Sequence, residues 1–388
     1  MRIRSVTARW VHVPIPPERQ HTSDFGRTTS FDSTLVRVET DDGLVGYGEA
    51  KAAVGSAGVN HALCAAVEGE LGPLIIGEDP RRISRLWDVM YNGTRAHFAI
   101  DRGHVFPVLG RRGVTVAALS GIDMALWDIL GRSLDTPVWQ LLGGRRHERM
   151  PAYASGGWAP ADGIVEELQG FVDRGGFRAV KMRVGAGDGE LAHSIARVRA
   201  ARAGLPDDVD ILCDAHGTWT VAEAKRFCRG VADCDIGWLE EPVSADDKRG
   251  LAEVRAGTDI PIATGESEFT RFDFRDLIDL RAADILQPDL SIAGGITEGI
   301  RIEALAAAYQ LRFAPHLWGG ALTFAAGMHL AAAATSGFVL EYSLGANPLL
   351  HELAEESFTV VDGHLDIPDR PGLGVTVNEE FVERHTRR

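Results

Sequence analysis

The sequence predicts an α/β protein, a modified TIM barrel of the (β/α)7β type with an α+β capping domain built from the N-terminal segment and the C-terminal tail. Three observations carry this expectation. From about residue 150, short β-branched or apolar runs alternate with Ala-, Arg- and Glu-rich helical stretches, and eight such runs begin about 23 to 30 residues apart. Seven of the eight lead at once into a helical stretch, which favours a closed parallel barrel; a doubly wound open sheet is the competing fold. The first third instead reads as strands followed by helices. The expected divisions are 1–125 for the N-terminal part of the capping domain, 126–345 for the barrel and 346–388 for a segment returning to the capping domain.

In chain order, residues 2–15 and 34–49 read as strands, the second ending in the turn-rich TDDGLVGYGEA. Between them HTSDFGRTTSFD (21–32) is polar and reads as a mobile surface loop. Residues 57–74, 81–92 and 114–130 have helical periodicity, the last being an apolar helix that leads into the next unit. The barrel strands are expected at PAYASGGW, AVKMRVG, DILCDAHG, IGWLEEPV, PIATGES, ADILQPDLS, RFAPHLW and FVLEYS. In the tail, FTVVDGHLDIPDRPG reads as a small hairpin packed back on the first domain.

Composition narrows the function. The 388 residues are 45% hydrophobic and 24% charged, the balance of a folded globular protein. Forty Lys and Arg against 55 Asp and Glu give a net charge of −15, which repels phosphate backbones and anionic lipid, so no nucleic-acid or membrane partner is expected. Cys64, Cys213, Cys228 and Cys234 form no C-x-x-C pair, a usage expected of reduced, buried thiols in a cytoplasmic protein. The first residues alternate like a strand and lack a signal-peptide core, and no apolar run approaches the length of a membrane span.

Almost every expected barrel strand ends in an ionisable residue, although buried barrel strands are otherwise apolar. These are Lys181 and Arg183, Asp214 and His216, Glu240 and Glu241, Glu266, Asp289, His316 and Glu341. In a parallel barrel all of these ends lie on one face, so the residues converge on one ring. Asp214, Glu240 and Glu266 fall at equal spacings on successive strands, and three carboxylates in a dry mouth repel unless a cation neutralises them. Oxygen donors alone favour a hard ion, Mg²⁺. The plainer alternative pairs each with a nearby Arg or Lys. Glu241, next to Glu240, is expected to point the other way, either supporting the ligands from behind or starting a helix. Asp289 and His316 come from neighbouring strands, and a carboxylate on one imidazole nitrogen makes the other a general base. Lys181 and Arg183 face the mouth together, suited to an anionic substrate or to balancing the acidic ring.

With these residues in place, the chain resembles the enolase superfamily, mandelate racemase/muconate lactonizing enzyme family, along nearly its whole length. LVRVETDDGLVGYGEA and ALSGIDMALWDILG match the capping domain, and KMRVG, CDAHG, WLEEP, ATGES, ILQPDLS, APHLW and LEYS match the barrel. The resemblance implies that Asp214, Glu240 and Glu266 bind Mg²⁺, that Asp289 and His316 form the acid/base dyad, and that Glu341 hydrogen-bonds the substrate carboxylate. It implies abstraction of a proton α to a carboxylate, with the cation and Lys181 stabilising the dianion. It also implies that Phe25 and Arg27 in loop 21–32, with segment 51–61, close over the mouth, that Trp318 walls the pocket, and that the chain forms a homo-oligomer.

Two departures from a racemase narrow the expectation. Arg183 stands where a racemase has a second Lys base, and a guanidinium with a pKa above about 12 is a poor base. His216 stands where many members have Asn, which resembles the sugar-acid dehydratases whose His is a general acid. The expected reaction is therefore the dehydration of a small-molecule sugar acid to a 2-keto-3-deoxy acid by a carbon–oxygen lyase, with His316 as base and His216 as acid, Lys181 binding the carboxylate and Arg183 orienting the substrate. The competing functions are a lactone cycloisomerase or racemase/epimerase of the same superfamily, and a non-catalytic barrel that binds metal or sugar acid.

Overall fold

The computed structural model describes residues 1–23, 26–51, 59–108, 111–345 and 347–387. The N-terminal strand Ile3–Pro14 pairs antiparallel with Ser30–Thr40, which pairs with Val45–Ala50. Thr386–Arg387 adds to the free edge of Ile3–Pro14, so the two chain ends share one four-stranded sheet. Val36, Val38 and Ala50 are buried in one core with the helix Val114–Ser133. The strand reads VGYGEA because this helix lies unusually close: a Cβ on Gly48 would overlap the Gly121 carbonyl, and one on Gly46 the Ala125 carbonyl. Val114–Ser133 is long and apolar enough to cross a membrane, but most of it is buried between the sheet and the barrel.

Four local expectations change. The stretch expected as one strand, 34–49, belongs to two, because TDDG makes a hairpin turn in which Gly43 takes a left-handed φ of 86° and Leu44 N donates to Thr40 Oγ1. The polar run 21–32 is largely extended rather than looped. His21–Ser23 pairs with Gly26–Thr28, and Ser30–Asp32 extend the long strand opposite His12–Pro14. Its Ser and Thr residues suit an edge ribbon, and Arg27 and Thr29 are exposed. The tail hairpin packs elsewhere: His364–Asp366 pairs with residues 149–151, covering the N-terminal end of the first barrel strand instead of the capping sheet. The helix expected over 57–74 runs as Val59–Ala65, then widens through Ala66–Leu71 and tightens through Gly72–Leu74.

The barrel strands are Arg149–Gly156, Ala179–Arg183, Asp210–Asp214, Ile236–Glu240, Ile262–Thr264, Ile285–Leu286, Arg312–Phe313 and Leu340–Ser343. Every neighbouring pair from the first to the seventh is parallel, and the eighth returns to the first. The seam between seventh and eighth is joined where Phe313 N donates to Ser336 O at 2.9 Å and Phe313 bridges Gly337. This cyclic order excludes the doubly wound alternative. Tyr153, Leu212, Trp238, Ala263, Ile285, Ala314 and Val339 fill the lower interior.

Buried carboxylates tie the N-terminal sheet and helix to the barrel. Asp123, on the helix Val114–Ser133, accepts from Thr297 N at 2.9 Å, capping the barrel helix Gly295–Ala308. Burial pushes its carboxyl up to about 7, against the lowering by Thr297. Since an unfolded Asp titrates near about 4, the folded state holds the extra proton between these values, and stability drops as pH rises through about 7. We expect Asp123→Asn to be more stable than the parent at about pH 8, by on the order of a few kcal/mol, and no more stable below about pH 4. Urea unfolding of both proteins across this range checks it; parallel pH profiles would refute it.

Candidate active site

The ring expected at the mouth forms because the strands are in register. Arg183, Asp214, Glu240 and Ala263 lie level on four adjacent strands. Glu266, Asp289 and His316 follow just beyond their strands, and Glu341 lies within the eighth. One oxygen from each of Asp214, Glu240 and Glu266 lies within 4.8 Å of the others. Asp214 and Glu240 are buried and Glu266 partly so. A buried, all-carboxylate donor set of this size fits a hard divalent cation, which would relieve the repulsion among the three.

Protein cations supply part of the balance. Lys181 Nζ, fully buried, lies 2.7 Å from Glu240 Oε1, 2.9 Å from Glu341 Oε1 and 3.4 Å from Asp214 Oδ2. Burial opposes its charge, but Glu240 and Glu341 outweigh it and raise its pKa above the usual lysine value. Glu240 and Glu341 are in turn held below the usual carboxylate range, burial again opposing and Lys181 leading the favourable causes. Trp238 Nε1 and Gln287 Nε2 donate to Glu240 Oε2 at 3.0 and 2.9 Å, which orients that carboxylate. Arg183 Nη1 pairs with Asp214 Oδ2. Its guanidinium carbon lies 5.4 Å from the Trp318 ring and 6.0 Å from Trp158, and the two indoles meet edge to face.

On the other side, His316 Nδ1 lies 2.9 Å from Asp289 Oδ2, and its Nε2 lies 3.5 Å from Glu266 and 3.9 Å from Glu341. Asp289 Oδ1 accepts from Ser291 N and Oγ at 2.8 and 2.5 Å. This locks the carboxylate that selects the imidazole tautomer. Burial disfavours the imidazolium, yet Glu266, Asp289 and Glu341 outweigh burial and raise the His316 pKa. Leu317 N donates to Glu341 Oε2 at 3.0 Å, fixing this carboxylate beside the dyad.

His216 reaches the ring by a different route from simple alternation. Its strand ends at Asp214, and the chain turns with a left-handed φ of 46° at His216. Its N donates to Asp214 Oδ1 at 3.0 Å, and its Nε2 lies 3.4 Å from Asp214 Oδ2. Of the two roles expected for Glu241, the helix start is excluded, because the next helix begins at Lys248; the residue takes a left-handed φ of 39° and is buried. Burial first, then Glu266 and Glu240, push its carboxyl well above the usual range.

Arg27 is exposed and donates to Gln20 Oε1 at 2.9 Å within its own ribbon; among the described residues no hydrogen bond or ion pair joins it to the ring. Phe25 and residues 52–58 lie outside the described residues. Sequence reading assigned Lys51 no role beyond membership of segment 51–61, and assigned none to Trp158 and Gln287. Lys51 directly follows the GYGEA segment, Trp158 closes the first strand's PAYASGGW, and Gln287 sits two residues before Asp289, so their positions in the motifs were the available signal.

Two family models match. Residues 5–143 fit the mandelate racemase/muconate lactonizing enzyme N-terminal domain, and residues 163–381 fit the enolase C-terminal domain-like family. An arabinonate dehydratase from Saccharolobus solfataricus is 34% identical over 92% of this chain and 91% of its own. A D-galactarolactone cycloisomerase from Agrobacterium fabrum is 36% identical over 90% and 89%. The crystal structure of a racemase from Streptomyces coelicolor with bound magnesium superposes with a TM-score of 0.86 at 30% identity, covering 99% of this chain and 100% of that one. By sequence and by structure, this chain belongs to the mandelate racemase/muconate lactonizing enzyme family of the enolase superfamily.

Proposed function

We propose that the chain is a Mg²⁺-dependent acid-sugar dehydratase, a hydro-lyase that converts a sugar acid to its 2-keto-3-deoxy acid. One observation carries this reading: two imidazoles flank one carboxylate cluster, His316 beside Glu266 and His216 beside Asp214. A β-elimination needs one group to take a proton and another to give one. Asp214, Glu240 and Glu266 would hold the cation, which supplies electrophilic stabilisation of the charge that develops on the substrate carboxylate.

The remaining chemistry belongs to side chains. His316 Nε2, with Nδ1 held by Asp289, takes the C2 proton, and the C2–H electron pair forms the C2–C3 double bond. The C3–O bond breaks, and His216 protonates the departing hydroxyl to give water. The resulting enol tautomerises to the 2-keto acid, so sugar acid becomes keto acid plus water with atoms balanced. Lys181 neutralises carboxylate charge in the dry interior, where such charge is costly. Arg183, close to two indoles and permanently charged, orients the anionic substrate rather than acting as a second base. The kinship with a cycloisomerase supports a second reading, in which the same dyad moves a proton and no water leaves.

A panel of mono- and diacid sugars beginning with arabinonate and galactonate, incubated with Mg²⁺ and assayed with semicarbazide, separates the two. Keto-acid formation is expected. With the turned-over substrate in D₂O, His216→Asn should still exchange the C2 proton while dehydration falls by about 10²-fold or more. Exchange without any keto acid from the parent enzyme would favour the isomerase, and unchanged dehydration by His216→Asn would remove that residue from the mechanism.

A further inference from the structure

We infer that Lys51, delivered by the N-terminal sheet, is a positioning residue for the Asp289–His316 pair and couples docking of that sheet to competence of the base. The inference deepens the dehydratase reading and rests on it. Lys51 Nζ donates to Trp318 O at 2.6 Å, two residues beyond His316. The same ammonium lies 3.9 Å from Asp289 Oδ2, the oxygen that holds His316 Nδ1. Lys51 N donates to Ser291 O at 3.2 Å, and Ser291 holds the other oxygen of Asp289. One residue therefore grips the loops after the sixth and seventh barrel strands at once.

The neighbouring residue in the same segment strengthens the grip. Glu49 is buried, accepts from Gly320 N and Thr323 N at 2.9 and 3.1 Å, and is held by Ser33 Oγ at 2.7 Å. It thus fixes the start of the helix Ala321–Ala333, immediately after the His316 loop. Glu49 anchors the backbone, whereas Lys51 places a positive charge beside the carboxylate of the dyad. A compact ammonium with three donors can serve a carbonyl and a carboxylate together, and its side chain is only 13% exposed. Burial alone would favour a neutral Asp289; His316 and then Lys51 keep it ionised. Since Lys51 makes none of the ring contacts of Lys181 or Arg183, its loss should affect turnover rather than substrate binding.

The test uses the Mg²⁺-loaded full chain, as parent, Lys51→Met, Lys51→Arg and His316→Asn, with histidines labelled with ¹⁵N. The downfield Nδ1–H resonance that vanishes in His316→Asn identifies the dyad proton. We expect Lys51→Met to broaden or shift that resonance and to lower kcat for the sugar acid found in the panel by roughly 10- to 100-fold with KM within about 3-fold, and Lys51→Arg to restore most of both. An Nδ1–H resonance and a kcat in Lys51→Met equal to the parent's would overturn the inference, as would equal defects in the Arg and Met variants. Full activity in His316→Asn would instead overturn the dehydratase reading, whereas the resonance still reports whether Lys51 positions the pair.

Discussion

Replacing His316 by Asn is expected to lower kcat by about 10³-fold or more while the protein keeps its fold. Asn is close in volume and still polar at the position that faces Asp289, so the loss would be chemical rather than structural. The imidazole combines a pairing carboxylate at 2.9 Å with a second nitrogen facing the carboxylate cluster. Without it, the base that Asp289 orients is missing. Exchange of the C2 proton in D₂O should fall with dehydration, because both begin with the same abstraction. Asp289→Asn should fall less steeply, since it leaves the imidazole in place but with the wrong tautomer favoured. A His316→Asn enzyme that exchanged the C2 proton at the parental rate would remove His316 as the base.

Stripping divalent cations is expected to abolish turnover, and Mg²⁺ should restore it. The reason is electrostatic: Asp214, Glu240 and Glu266 bring three carboxylates within 4.8 Å, and Lys181 also serves Glu341. Activity is not the only readout. A ligand that binds the folded state alone stabilises it by mass action, about 2.7 kcal/mol at a hundredfold excess over Kd, so added Mg²⁺ should raise Tm in the parent. Glu240→Gln should lose most of that rise together with activity, because an amide supplies no charge. The role assigned to the three carboxylates fails if chelation leaves rate and Tm unchanged.

The legible part of this protein was its repetition. Eight apolar runs, each short and most followed by a helix, favour a closed barrel, and a charge at the C-terminal end of such a strand then lies at the mouth. Hence Lys181, Asp214, Glu240 and Glu341 could be gathered into one ring from spacing alone. The capping strands were less legible. Glycines at 46 and 48 looked like turn residues, whereas they accommodate a helix packed nearly against the strand backbone. The polar run 21–32 lacked apolar alternation because its ribbon lies at a solvent edge, so its strands left no periodic trace. The tail hairpin could be foreseen, but its docking could not, because a short hairpin carries little information about which edge it meets.

What the sequence by itself determined was the kind and order of the groups: which strands carry acid, base and cation, since these follow from period and spacing. Only the tertiary structure decided how they face one another. Left-handed turns at His216 and Glu241 override the alternation that would have assigned their directions. Lys51, Glu49 and Asp123 act across distances of more than 170 residues in sequence, bonding Trp318, Gly320 and Thr297. Local pattern reports what a neighbourhood prefers, whereas a contact between distant segments depends on how whole elements pack, and no short window of sequence contains that information.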